Sequence, residues 1–193
     1  MLDSMLLRRG ASVKVRFSVK FAVALGVILS AVFLPELVHL LYGAPGGMRF
    51  LPMYFPVLIG GALLGFRLGF CVGILSPIAS YLITSLSGTP MPAAGRLPFM
   101  AIELAVFALV VGLFSDKIAK RPLLAFPVVW CAELLGRGVF LLCSALFGSS
   151  LGLPAETVLS QIVTGLPGLL IQALLAPALI FLLARLMRRG EDK

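Results

Sequence analysis

The chain's 193 residues are 60% hydrophobic and 12% charged, with a net charge of +8, and the mean hydropathy is +1.10. Roughly a quarter of a soluble domain is charged, so this composition excludes a soluble domain of any size and predicts an all-α, polytopic membrane protein. The positive excess lies between apolar segments, as topology signals do, and forms no interleaved basic and aromatic surface, which argues against a nucleic-acid partner.

Apolar periods and breakers predict six transmembrane helices, over residues 17–40, 52–67, 69–87, 98–115, 122–147 and 157–187. The first follows a basic stretch with no small-residue cleavage site, so a retained helix is expected rather than a signal peptide. It carries Ala22, Gly26 and Ser30 on one face, a small-residue stripe of the kind that lets a partner helix approach closely. Gly61, Gly65, Gly69 and Gly73 repeat that spacing across the turn between the second and third spans, where packing within the protein is the expected use. Spans two to four are near the ~20-residue minimum for crossing, and the fifth and sixth are long enough to tilt or project. Six spans and short connections account for the whole chain as one domain, residues 1–193.

Lys and Arg fix an expected orientation. Arg8, Arg9, Lys14, Arg16 and Lys20 flank the first span, Arg67 separates the second and third, Lys117, Lys120 and Arg121 separate the fourth and fifth, and Arg185, Arg188, Arg189 and Lys193 close the chain. Only Arg49 and Arg96 fall on the other side. By the positive-inside rule both termini are expected in the cytoplasm, as an even number of spans requires. The opposite connections, 43–49 (GAPGGMR), 87–96 (SGTPMPAAGR) and 148–156 (GSSLGLPAE), are rich in Gly, Pro and Ser. Turn geometry shapes such loops, which serve as plain connectors or as binding rims.

Little catalytic chemistry is available. GxxxxGK[ST] and HExxH are absent, and there is no asparagine, so a P-loop and a zinc-protease site are unsupported. The single histidine, His39, and the cysteines Cys71, Cys131 and Cys143 show no ligand spacing. No enzyme, metal or cofactor is expected. What stands out is a set of polar residues within spans four to six: Glu103, Glu133, Arg137, Gln161, Thr164 and Gln172. A charge near the bilayer centre costs ~2.5–3.5 kcal/mol on insertion scales, so each calls for a partner or a function. Counted from the outer span ends at ~1.5 Å per residue, Glu103, Gln161 and Thr164 lie about 8–12 Å deep and Arg137, Glu133 and Gln172 about 16–24 Å deep, with Arg137 long enough to reach up toward the shallow level. Glu133 and Arg137 are four apart and able to pair within their own helix. That structural use competes with a second one, a solute pocket with Arg137 as its floor, which the polar positions on spans four and six favour.

The residues PVLIGGALLGFRLGFCVGILSPIASYLIT (56–84), GTPMP (88–92), PFMAIELAVFALVVGLF (98–114), GRGVF (136–140) and TGLPGLLIQALLAPAL (164–179) together resemble the substrate-binding S components of energy-coupling factor (ECF) vitamin transporters. The resemblance covers about residues 50–180. It implies a six-helix protein of a bacterial or archaeal plasma membrane that captures a water-soluble vitamin from outside. It further implies docking onto a transmembrane scaffold subunit driven by two separate ATPase subunits, and toppling in the membrane to deliver the ligand. The family docks through an AxxxA motif on span one, whose place here is taken by Ala22, Gly26 and Ser30. Its ligand positions map best onto Glu103 in PFMAIELA and Arg137 in GRGVF, with Glu133, Gln161, Thr164 and Gln172 as further candidate contacts. Arg137 would hold a carboxylate, phosphate or carbonyl oxygen, and Glu103 would accept from hydroxyl or amide groups. A pantothenate-like ligand fits an anionic contact, while a net intramembrane charge of −1 fits a cationic or neutral pyrimidine equally well. Two other readings stay open: a structural scaffold of the rod-shape-determining type, and a stand-alone proton-coupled carrier using Glu103 or Glu133.

Overall fold

The computed structural model describes residues 1–3, 6, 12–148, 150 and 155–189, except for the side chains of 44, 45, 155–159, 161, 162, 188 and 189. The basic residues Arg8, Arg9 and Lys193 and most of the 148–156 connection therefore lie outside the described residues. Helices follow in the order α1 (Val13–Phe50), α2 (Tyr54–Leu64), α3 (Phe66–Leu86), α4 (Leu97–Leu113), the short α5 (Ser115–Lys120), α6 (Ala125–Phe147) and α7 (Ala155–Arg189). Short 3₁₀ turns at Ala94–Arg96 and Pro122–Leu124 lead into α4 and α6, and no strand occurs among the described residues. Six stretches are long and apolar enough to cross a bilayer: Val13–Gly43, Gly46–Leu64, Phe66–Leu86, Ala94–Leu113, Pro122–Phe147 and Val163–Met187. This is the build of a multi-pass membrane protein.

The connection between the first two spans falls where the sequence places it and is tighter than expected. The chain reverses at Gly43, where φ is 70° and ψ is −173°: the first apolar stretch ends there and the second begins at Gly46, which lies back against Val38 and Tyr42, with the Tyr42 and Phe50 rings 5.3 Å apart. That conformation is open to glycine at little cost. A second break falls at Leu51, which adopts the left-handed conformation with φ 47° and separates residues 46–50 from α2. Between α2 and α3 the break is a single residue, Gly65 (φ 79°). Arg67 accordingly belongs to the first turn of α3, its guanidinium lying over the Phe66 ring at 5.5 Å.

Helix α4 is central, with α2, α3 and α6 packed on it and α7 packed on α6. Glycine explains how closely α2 and α3 lie against α4. A Cβ at Gly73 would stand 2.6 Å from the Leu104 carbonyl oxygen, and one at Gly61 would stand 2.6 Å from that of Ala108. Small residues at these crossings let backbones approach and gain the dispersion contacts that hold helices together in lipid. Tyr54 and Phe107 meet edge to face at 5.3 Å, and Phe99 and Phe140 at 6.3 Å. These rings fill the space between α2, α4 and α6. At one end of the bundle Asp3 meets Lys20 at 2.7 Å and Arg16 at 3.6 Å. The Lys20 ammonium bond holds the Asp3 carboxyl below the usual carboxylate range.

Candidate binding site

The central helices bring three polar side chains together in the bundle interior. Glu103 of α4 is fully buried. Tyr54, in the first turn of α2, donates from its hydroxyl to Glu103 Oε2 at 2.6 Å. Arg137 of α6 brings its Nε to 3.3 Å from Glu103 Oε1, with its guanidinium 5.8 Å from the Tyr54 ring centre and 5.4 Å from that of Phe140. Three helices thus share one acid. Gly136 makes the approach of α6 feasible, because a side chain there would run into the Phe107 ring and the backbone of Glu103.

Glu133 and Arg137 do not form the intrahelical pair that their spacing permits. Arg137 is turned toward Glu103 on α4 instead, and no ion pair joins it to Glu133. Oε1 of Glu133, and Nε and Nη2 of Arg137, are buried without a hydrogen-bond partner among the described residues. A buried acceptor or donor left unmade costs ~1–3 kcal/mol, more when charged, so this site holds unused bonding capacity.

Two cavities lie beside the cluster. One, of about 570 Å³, runs between α6 and α7 and is lined by Glu133 and Arg137 with Trp130 and leucines of both helices. The other, of about 250 Å³, lies where the α1–α2 corner meets the 90–93 loop, with Arg96 and Met100 in its wall. Arg96 is within electrostatic range of Tyr54, Glu103 and Arg137. The loop above it is pinned to α3: Met91 N–H donates to Thr84 Oγ1 at 2.7 Å, and Ser80 Oγ donates to the Met91 carbonyl at 2.9 Å.

The other sequence candidates lie elsewhere. Gln172 is buried, but its Nε2 donates to the carbonyls of Phe50 and Leu51 at 2.9 and 2.8 Å. It satisfies the carbonyls exposed by the turn at Leu51, and Gly168, one helical turn before it, lets α7 come down onto the Arg49 and Phe50 backbone. Thr164 is exposed and donates to the Ser160 carbonyl of its own helix at 2.7 Å. The side chain of Gln161 lies outside the described residues. Ala22, Gly26 and Ser30 are exposed along α1, with nothing within 4 Å of a Cβ placed at Gly26. Sequence reasoning missed Tyr54 and Arg96. The spacing of Arg96, Met100 and Glu103 along one helical face offered a signal for the arginine; nothing local offered one for the tyrosine.

Comparison with family models, with characterised proteins and with solved structures finds no match to this chain.

Proposed function

We propose that this chain is the substrate-binding membrane subunit of an ECF-type importer, which captures a small vitamin-like solute from outside a bacterial or archaeal cell and passes it to a scaffold subunit and two ATPases. The observation that carries this reading is Arg137: a guanidinium within the bundle, held by one acid, with donors left unpaired beside a cavity. An ion pair kept only for structure is often no better than apolar side chains of the same volume. A cluster with surplus donors and acceptors is suited to a ligand that completes it. The sequence resemblance supports the wider assembly, since no nucleotide-hydrolysing motif is present and ATPase subunits would supply that step. The exposed small-residue stripe of α1 offers a face for the scaffold.

Equilibrium binding of a vitamin panel to purified protein, with Arg137→Ala and Glu103→Gln beside the wild type, tests the site. Loss of charge-assisted bonds worth ~1.5–3 kcal/mol predicts affinity weakened about tenfold to a hundredfold in Arg137→Ala. No bound vitamin, or unchanged affinity in both variants, overturns the assignment. Co-purification from the native host tests the assembly. A scaffold with two ATPases supports it, whereas cell-wall machinery supports the structural-scaffold reading, and uptake driven by a proton gradient alone supports the carrier.

A further inference from the structure

The groove between α6 and α7 has an unusual polar complement. Leu134, Leu166, Leu170 and Leu174 along it are exposed, and Trp130 lies across its far part, tied by Nε1–H to the Ala173 carbonyl at 2.8 Å. Among the described residues, only two charged side chains, Glu133 and Arg137, line it. They stand one helical turn apart and do not pair with each other, though Glu133 is only 8% exposed and Arg137 13%. Arginine can only donate hydrogen bonds and a carboxylate can only accept them. A simple anion would answer Arg137 and be repelled by Glu133, and a simple cation would meet the reverse. A neutral edge carrying a carbonyl oxygen beside an N–H answers both together.

We propose that this groove binds a neutral heterocycle through a lactam or cyclic-urea edge, the carbonyl accepting from Arg137 and the N–H donating to Glu133, with an apolar ring body lying on the leucines and Trp130. The inference rests on the ligand-binding reading above and narrows its substrate class. From residue 130 to residue 137 the helix rises ~10 Å, enough for a fused two-ring body below the polar pair. A phospholipid fits poorly. Arg137 is ten residues from the end of α6 at Phe147, or ~15 Å, about half the thickness of a ~30 Å hydrocarbon core. Its depth is that of the acyl chains, which have nothing to offer a guanidinium or a carboxylate.

Trp130 is the chain's only tryptophan, so its emission reports on the groove directly. Full-length protein in nanodiscs is titrated with octahydro-2(1H)-quinolinone, a fused bicyclic lactam, with its N-methyl derivative, and with cyclohexanecarboxylate. The expected result is a saturable change in Trp130 emission with the lactam, about tenfold weaker binding of the N-methyl compound, and loss of that preference in Glu133→Leu. The N-methyl comparison uses wild-type protein and does not depend on any variant folding. Equal binding of the two lactams, or preference for the carboxylate, overturns the lactam edge. Quenching by brominated acyl chains that no lactam relieves assigns the groove to lipid and also overturns it. Carboxylate binding that is lost in Arg137→Ala would refute the lactam edge while leaving the importer reading intact. Lactam binding with no vitamin bound and no ATPase partner would do the opposite.

Discussion

At the scale of single residues, Glu103 organises the interior. It receives the Tyr54 hydroxyl at 2.6 Å and faces Arg137 at 3.3 Å, so changes at either neighbour have different signatures. Tyr54→Phe removes one donor from a buried acid, and a loss of ~1–3 kcal/mol is expected, seen as a lower unfolding temperature in detergent. Gln172→Leu leaves the Phe50 and Leu51 carbonyls unanswered, and a loss of similar size is expected in the same measurement, with ligand affinity little changed. That second outcome separates Gln172 as a brace of the turn from Gln172 as a ligand contact. The pairing of Glu103 with Arg137 was partly legible in the sequence, because depth counting put Arg137 below Glu103 with a side chain long enough to reach upward. The choice between Glu103 and Glu133 was not legible. It depends on how α6 is rotated against α4, and Gly136 against Phe107 sets that rotation.

At the scale of elements, hydropathy found the six apolar stretches, because each must hide its backbone from lipid and carries that need in its composition. Turns were harder to read. Gly43 reverses the chain in a conformation open to glycine, whereas Leu51, a residue that rarely takes a positive φ, breaks the helix eight residues later, and only α7 packing with Gln172 explains that second break. The glycines divide by what they face. Gly61→Val drives a side chain into the Ala108 carbonyl, so a loss of ~1–3 kcal/mol or more is expected from overpacking. Gly26→Val enters open space and is expected to stay within ~0.5 kcal/mol. Thermal unfolding of the two variants side by side checks the contrast, and co-purification with Gly26→Val then asks whether the open face serves a partner.

At the scale of the whole molecule, the short α5, the turn into α6 and the last part of α7 gather at one end of the bundle, where most of the basic residues fall. By the positive-inside rule that end is expected to face the cytoplasm. With Cys71, Cys131 and Cys143 replaced, an impermeant maleimide applied to intact cells is expected to label Thr89→Cys and to spare Lys117→Cys until the membrane is opened; the reverse pattern inverts the orientation. Across the other end, Met91 has both its N–H and its carbonyl engaged by Thr84 and Ser80 at the end of α3. The 90–93 segment is therefore a fixed lintel over a doorway rather than a flap hung in it. On the importer reading proposed above, a solute entering from that side must be sized to the frame as it stands, or wait for one of the jambs to lean.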